Sequence, residues 1–123
     1  MGFFEDDMDE AIRRTRATDL DFLGLWLAHA RWSEGAFGPP SHRGPLGPIR
    51  HLQKEAAELE ANPYDRSEVA DCLLLLMDAA RRSGMTPEEF VAAARAKLRV
   101  CEGRQWPDWR TLPGDVAIEH IKS

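Results

Sequence analysis

The stretch Lys54-Glu55-Ala56-Ala57-Glu58, followed by Asn62-Pro63-Tyr64-Asp65 and then Glu68-Val69-Ala70-Asp71, decides the fold. Both flanks of the Asn-Pro break have helical spacing. Ile49, Leu52, Ala56 and Leu59 form an apolar seam before it, and Val69, Ala70 and Cys72 to Met77 continue the apolar content after it. Each flank carries two acids three residues apart, roughly 60° around a helix axis, so each pair shares a face. In an antiparallel hairpin turning near residue 63, positions with equal sums lie at about equal height. Position 55 then faces 71, and 58 faces 68. Glu55, Glu58, Glu68 and Asp71 are therefore expected to converge. Left unneutralised in a buried site, they would repel one another by an amount on the order of several kcal/mol. That arrangement calls for a cation.

Working outward, the signals are helical and no strand-like alternation persists. Residues 1–18 read as an N-terminal arm or short helix, with acids from Glu5 to Glu10 running into Arg13, Arg14 and Arg16. Asp19 reads as the N-cap of a helix from Leu20 to about Gly35. Four Gly and four Pro between Gly35 and Pro48 make a loop. Pro48 suits the first turn of the next helix, which runs to about Ala61. The third helix starts near Asp65 or Ser67 and ends at Ser83-Gly84, with Arg81 and Arg82 in its last turn. A capping box, Thr86-Pro87-Glu88-Glu89, opens a fourth that continues to about Gly103. Residues 19–107 thus form one helical domain, and residues 108–123 a tail with room for one helical turn.

The third helix is apolar nearly all round, which predicts burial on most sides. Its central polar residues, Glu68, Asp71 and Asp78, fall within roughly 80° of one another. A narrow acidic stripe on a buried helix needs partners. The competing reading makes these acids the one solvent-facing edge. The apolar excess also predicts a homo-oligomer.

The chain has 123 residues, with 16 Lys+Arg against 21 Asp+Glu and a formal charge of −5. No basic stripe stands out, so nucleic acid is not expected as a partner. Cys72 and Cys101 are too few for a disulfide scaffold, and Cys72 reads as a reduced, buried thiol. The start has no basic region followed by an apolar run, so no secretory signal is expected. The longest apolar run, Cys72 to Met77, is too short to span a bilayer. The expectation is a soluble cytoplasmic protein without a membrane partner.

All four ligand candidates are oxygen donors, and the nearest histidine is His51, one turn before Glu55. Such a set suits Mg²⁺ or Mn²⁺ rather than Zn²⁺ or Cu²⁺. No Glu-x-x-His pair of the di-iron bundles occurs. Hard cations on carboxylates, with positions open to water, are the usual means of handling phosphates.

The pattern resembles the all-α nucleoside triphosphate pyrophosphohydrolases of the MazG-like superfamily: Glu-Glu-x-x-Glu, a spacer, then Glu-x-x-Asp. Lys54 stands where those proteins have their first Glu. Phe37-Gly38-Pro39, Arg43, His51-Leu52-x-Lys54-Glu55, Asp78, Arg82, Gly84, Lys97 and Arg104-x-Trp106-Pro107 narrow the resemblance to a phage and bacterial subfamily of dATP/dGTP pyrophosphohydrolases. It covers about residues 30 to 107. Cys101 replaces an Asn expected in the fourth helix.

The resemblance implies a four-helix bundle around the acidic hairpin, assembled as a dimer or a tetramer. It implies conversion of dGTP and dATP to dGMP and dAMP plus pyrophosphate, with dGMP serving 2-aminoadenine synthesis in phages that replace adenine. Two or three Mg²⁺ or Mn²⁺ ions are implied. Glu55, Glu58 and Asp71 would hold one that activates water against the α-phosphorus, and Glu68 would help hold those on the β- and γ-phosphates. Glu58 is a candidate for ligand or general base. Lys54, His51 and Asp78 belong to the substrate-binding set. Lys97 and Arg104 are candidates for phosphate contacts or plain surface cations. Trp32 and Trp106 are candidates for stacking on a purine or for apolar packing, and the loop with His42 and Arg43 for a lid or a connector. Rival readings are a pyrimidine or house-cleaning pyrophosphohydrolase, and a non-enzymatic helical module.

Overall fold

Pro63 stops one helix and Asp65 starts the next, and the resulting hairpin is the frame of the molecule. A computed structural model describes residues 2–14 and 21–122. Among them are five α-helices and no strand: α1 (Gly2–Arg14), α2 (Phe22–Phe37), α3 (Leu46–Ala61), α4 (Arg66–Arg82) and α5 (Pro87–Gly103). The expected all-α class holds. α1 lies within the segment read as an arm or short helix. Residues 15–20, including Asp19, lie outside the described residues.

At the turn, Asn62 N donates to Glu58 O and Leu59 O at 3.1 Å each, and Asp65 N to Asn62 O at 3.1 Å. The Asp65 carboxylate then accepts from Ser67 N at 2.9 Å and Glu68 N at 3.3 Å, capping α4 where its amides have no helical partner. α4 ends as expected: Gly84 takes a positive φ of 103°, and Met85 N reaches back to Ala80 O at 3.1 Å. α3 starts two residues earlier than Pro48 signals, because Pro45, αR itself, supports the first turn from outside. α2 is capped by Asp21, which accepts from Leu23 N at 3.1 Å.

α2 and α3 both lie against α4. The core is small: Trp26, Met77 and Ala79 are its buried apolar residues. The apolar girdle of α4 is not buried on most sides. Val69, Leu73 and Leu76, on one stripe, are 52%, 43% and 47% exposed.

The chain divides into two compact units at Pro87/Glu88. In the second, Asp108 caps a single 3-10 turn, Trp109–Thr111, in the tail. Ile121 N donates to Gln105 O at 2.8 Å and returns the tail to the end of α5.

Asp65→Ala should lower stability by about 1 kcal/mol, the usual cost of a lost side-chain cap. Asp78→Ala, which strips a buried carboxylate from two arginines, should cost about 3–5 kcal/mol. Denaturant unfolding of the two variants checks the contrast.

Candidate metal centre

α3 and α4 each contribute acids to one patch of the hairpin. One carboxylate oxygen from each of Glu55, Glu58 and Glu68 lies within 4.8 Å of the other two. Glu55 is the hub, with a side chain only 12% exposed. It is hydrogen-bonded with both Glu68 and Glu58, and His51 Nε2 lies 3.0 Å from its Oε1. Glu68 Oε2 is buried with no hydrogen-bond partner. A bare buried carboxylate oxygen costs free energy that the fold recovers only through a proton or a cation.

Titration follows the same geometry. The bonds from Glu68 and Glu58, followed by that from His51, hold the Glu55 carboxyl below its ordinary value in spite of partial burial. Glu58 is pushed up, first by its bond to Glu55 and then by that group's charge, with Lys54 opposing. Glu68 rises furthest, to about 7, chiefly through its bond to Glu55 and then through desolvation. A proton retained on Glu68 lessens the repulsion among the three carboxylates.

Asp71 sits beside this trio rather than within it. It is exposed, and its carboxyl is raised by partial burial first and by Glu55 second. An aspartate side chain is one methylene shorter, so from the same face it reaches less far across the hairpin. Equal height also proves too strict a rule. The strongest coupling joins Glu55 to Glu68, one turn off register, an offset of about 4.5 Å along the axis that two glutamates span.

Asp78 shares the angular stripe but belongs to a different cluster. It is buried and accepts from Ser33 Oγ at 2.8 Å, Arg81 Nη2 at 2.7 Å and Arg82 Nε at 3.0 Å. Burial alone would raise its carboxyl, yet these three donors hold it below the ordinary range. Sequence reading missed Ser33, which is fully buried on α2, and took Arg81 only as a last-turn cation and Arg82 as that and as part of the resemblance, with no partner for either. Their spacing from Asp78, three and four residues, was the available signal.

A cleft of about 390 Å³ opens beside the cluster, with Phe37, Arg43, Pro45, His51, Leu75 and Arg82 in its wall. His51 thus faces both the cleft and Glu55. Lys54 is exposed. Trp32 is 59% exposed on α2 and meets Phe37 edge-on at 5.3 Å. The remaining expected contacts lie in the second unit. Lys97 is exposed, Arg104 is half-buried in the wall of a cavity with Gln105, His120 and Lys122, and Trp106 donates from Nε1 to Cys101 O at 2.8 Å. Cys72 and Cys101 are both free thiols of intermediate burial. No helix among the described residues is long and apolar enough to cross a membrane.

The sequence profile of a family described as dATP/dGTP pyrophosphohydrolase matches residues 25–123. The Eaa protein of Salmonella phage P22 is 46% identical over 80 residues, which are 65% of this chain and 24% of that protein. The chain thus spans about a quarter of that relative's length. A solved structure, the cyanophage S-2L MazG-like pyrophosphohydrolase bound to dGDP and three catalytic Mn²⁺ ions per active site, superposes with a TM-score of 0.64. It is 31% identical, and the match covers 83% of this chain and 98% of that one.

Because Glu68 holds its proton to about 7 against 4.5 ordinarily, a cation must displace that proton. Mn²⁺ affinity should rise with pH between about 5 and 7, approaching tenfold per unit, and level off above. Without metal the sign reverses. The stabilisation from the retained proton is complete below about 4.5 and is lost as pH rises through about 7. Calorimetric Mn²⁺ titrations and metal-free melts across that range check both.

Proposed function

The chain belongs to the dATP/dGTP pyrophosphohydrolase family, and we propose that it is a Mg²⁺- or Mn²⁺-dependent enzyme splitting purine deoxynucleoside triphosphates into monophosphate and pyrophosphate. The observation that carries this reading is Glu68 Oε2, buried without a partner beside two further carboxylates. The donor set is all oxygen, fits a hard cation, and fits the Mn²⁺ that the cyanophage neighbour holds.

Glu55, Glu58 and Glu68 would hold the cations, with Asp71 completing the set from the edge. When bound, the cations polarise the α-phosphate, activate water and offset charge on the pyrophosphate leaving group. The residues do the rest. His51 fixes the rotamer of Glu55 through its 3.0 Å contact. Glu58, the exposed member of the trio, would give one carboxylate oxygen to a cation and use the other to accept the proton of the attacking water. The new bond joins that water's oxygen to the α-phosphorus, and the bond to the β-bridging oxygen breaks. The cleft beside His51 takes the nucleoside, with Phe37 and Leu75 as apolar surface for a purine.

The product suits a phage that removes dATP and requires dGMP for a 2-aminoadenine base, and a phage relative and a phage neighbour support that setting. The half-exposed Val69, Leu73 and Leu76 stripe supports a second copy covering α4.

Incubation with each dNTP and Mn²⁺, followed by product separation, should show dGMP and dAMP with pyrophosphate and no turnover in excess EDTA. Preference for pyrimidines, or release of orthophosphate, would overturn the assignment. Glu55→Gln should cut turnover by about 100-fold or more, while the metal-free melting temperature at pH 8 stays level or rises because a repulsion is removed.

A further inference from the structure

The loop between α2 and α3 has prolines at 39, 40 and 45, which donate no amide hydrogen, so it has little means of holding its own shape. One internal turn closes it, with His42 N and Arg43 N each donating to Pro39 O at 3.0 Å. From there its path to α3 is held by a side chain of α4: Arg82 Nη1 donates to the main-chain oxygen of Arg43 at 2.8 Å. The guanidinium is only 1% exposed, and its orientation is over-determined. Nε bonds Asp78 Oδ2 at 3.0 Å, and Nη2 bonds Ser33 Oγ at 2.9 Å. With those two edges fixed, the planar fork aims its third edge at the loop. Asp78 is itself held by Ser33 at 2.8 Å and Arg81 at 2.7 Å.

The loop that Arg82 grips forms one wall of the cleft, and His51 on the opposite helix joins that cleft to Glu55. We propose that Arg82 is a positioning residue for nucleotide binding, a buried latch that sets the Arg43–Pro48 wall against the nucleoside while the acidic cluster handles the phosphates. It touches no reacting atom. The proposal rests on the function read above for the acidic cluster.

The effect belongs in substrate affinity. Lysine keeps a positive charge beside Asp78 but cannot bond Asp78, Ser33 and Arg43 O in one plane. Arg82→Lys should therefore raise KM for dGTP about tenfold, lower kcat less than about threefold, and leave the Mn²⁺ dissociation constant unchanged. Hydrogen exchange should speed up in residues 38–46 and not in 55–71. Ser33→Ala, a smaller change that removes one of the two orienting bonds, should shift KM and loop exchange in the same direction by a lesser factor. It also decides the matter should the lysine variant not fold. Unchanged loop exchange in a folded variant overturns the latch, and so does a fall in kcat and Mn²⁺ affinity with KM unmoved. A wild-type protein that hydrolyses no purine dNTP overturns the functional reading and the role in nucleotide binding, whereas loop exchange tests the latch separately.

Discussion

Three glutamates held within 4.8 Å of one another on two antiparallel helices are the constraint around which the first unit is arranged. α3 and α4 must pack tightly although their facing acids push them apart. Pro63 and the Asp65 cap fix the turn nearest the repulsion, and α2 supports α4 from another side through the bonds of Ser33 to Asp78 and Arg82. α4 also distributes charge along its length. Its acids Glu68 and Asp71 stand toward its N-terminal, positive end, and Arg81 and Arg82 in its last turn, so the helix dipole favours both.

The contrast between Glu68 and Asp78 shows what separates a structural carboxylate from one that awaits a ligand. Both sit on α4 and both lose water. Asp78 recovers the loss within the chain, since a hydroxyl and two guanidinium groups donate to it and its carboxyl stays readily ionised. Glu68 finds another carboxylate instead, and its titration moves to about 7. A buried charge satisfied by fixed internal donors has little to offer a ligand. A buried oxygen that the protein leaves without a donor is where binding a cation relieves the cost of folding.

The hairpin acids were legible because they express two periodicities at once, the three-residue spacing within a helix and the mirror relation across a turn. Turn chemistry at Asn62-Pro63 and Gly84 was legible for the same local reason. The Asp78 cluster was not. Angular position alone puts Asp78 with Glu68 and Asp71, and only the packing of α2 brings Ser33 to it across a separation of 45 residues. Arg82 likewise shows no sign, in sequence, of reaching the Arg43 carbonyl. Pattern also overstated burial. Leu73 and Leu76 read as core, yet a single chain of this size leaves them nearly half exposed, because α4 has more apolar circumference than α2 and α3 can cover. A sequence pattern reports which residues avoid water without reporting what covers them.

Charge balance limits what the cluster can hold unaided. Glu55, Glu58, Glu68 and Asp71 bring at most four negative charges, and Lys54, exposed where the resemblance implies a fifth acid, opposes the protonation of Glu58 by adding a positive one. Four carboxylates neutralise two dications. Any further ion must arrive with an anion, and a triphosphate supplies several oxygens of the same hard character. On this reading the nucleotide is a co-ligand as well as a substrate. Cations strengthen nucleotide binding, nucleotide strengthens cation binding by the same factor, and the lysine makes that mutual dependence stronger than a fifth carboxylate would.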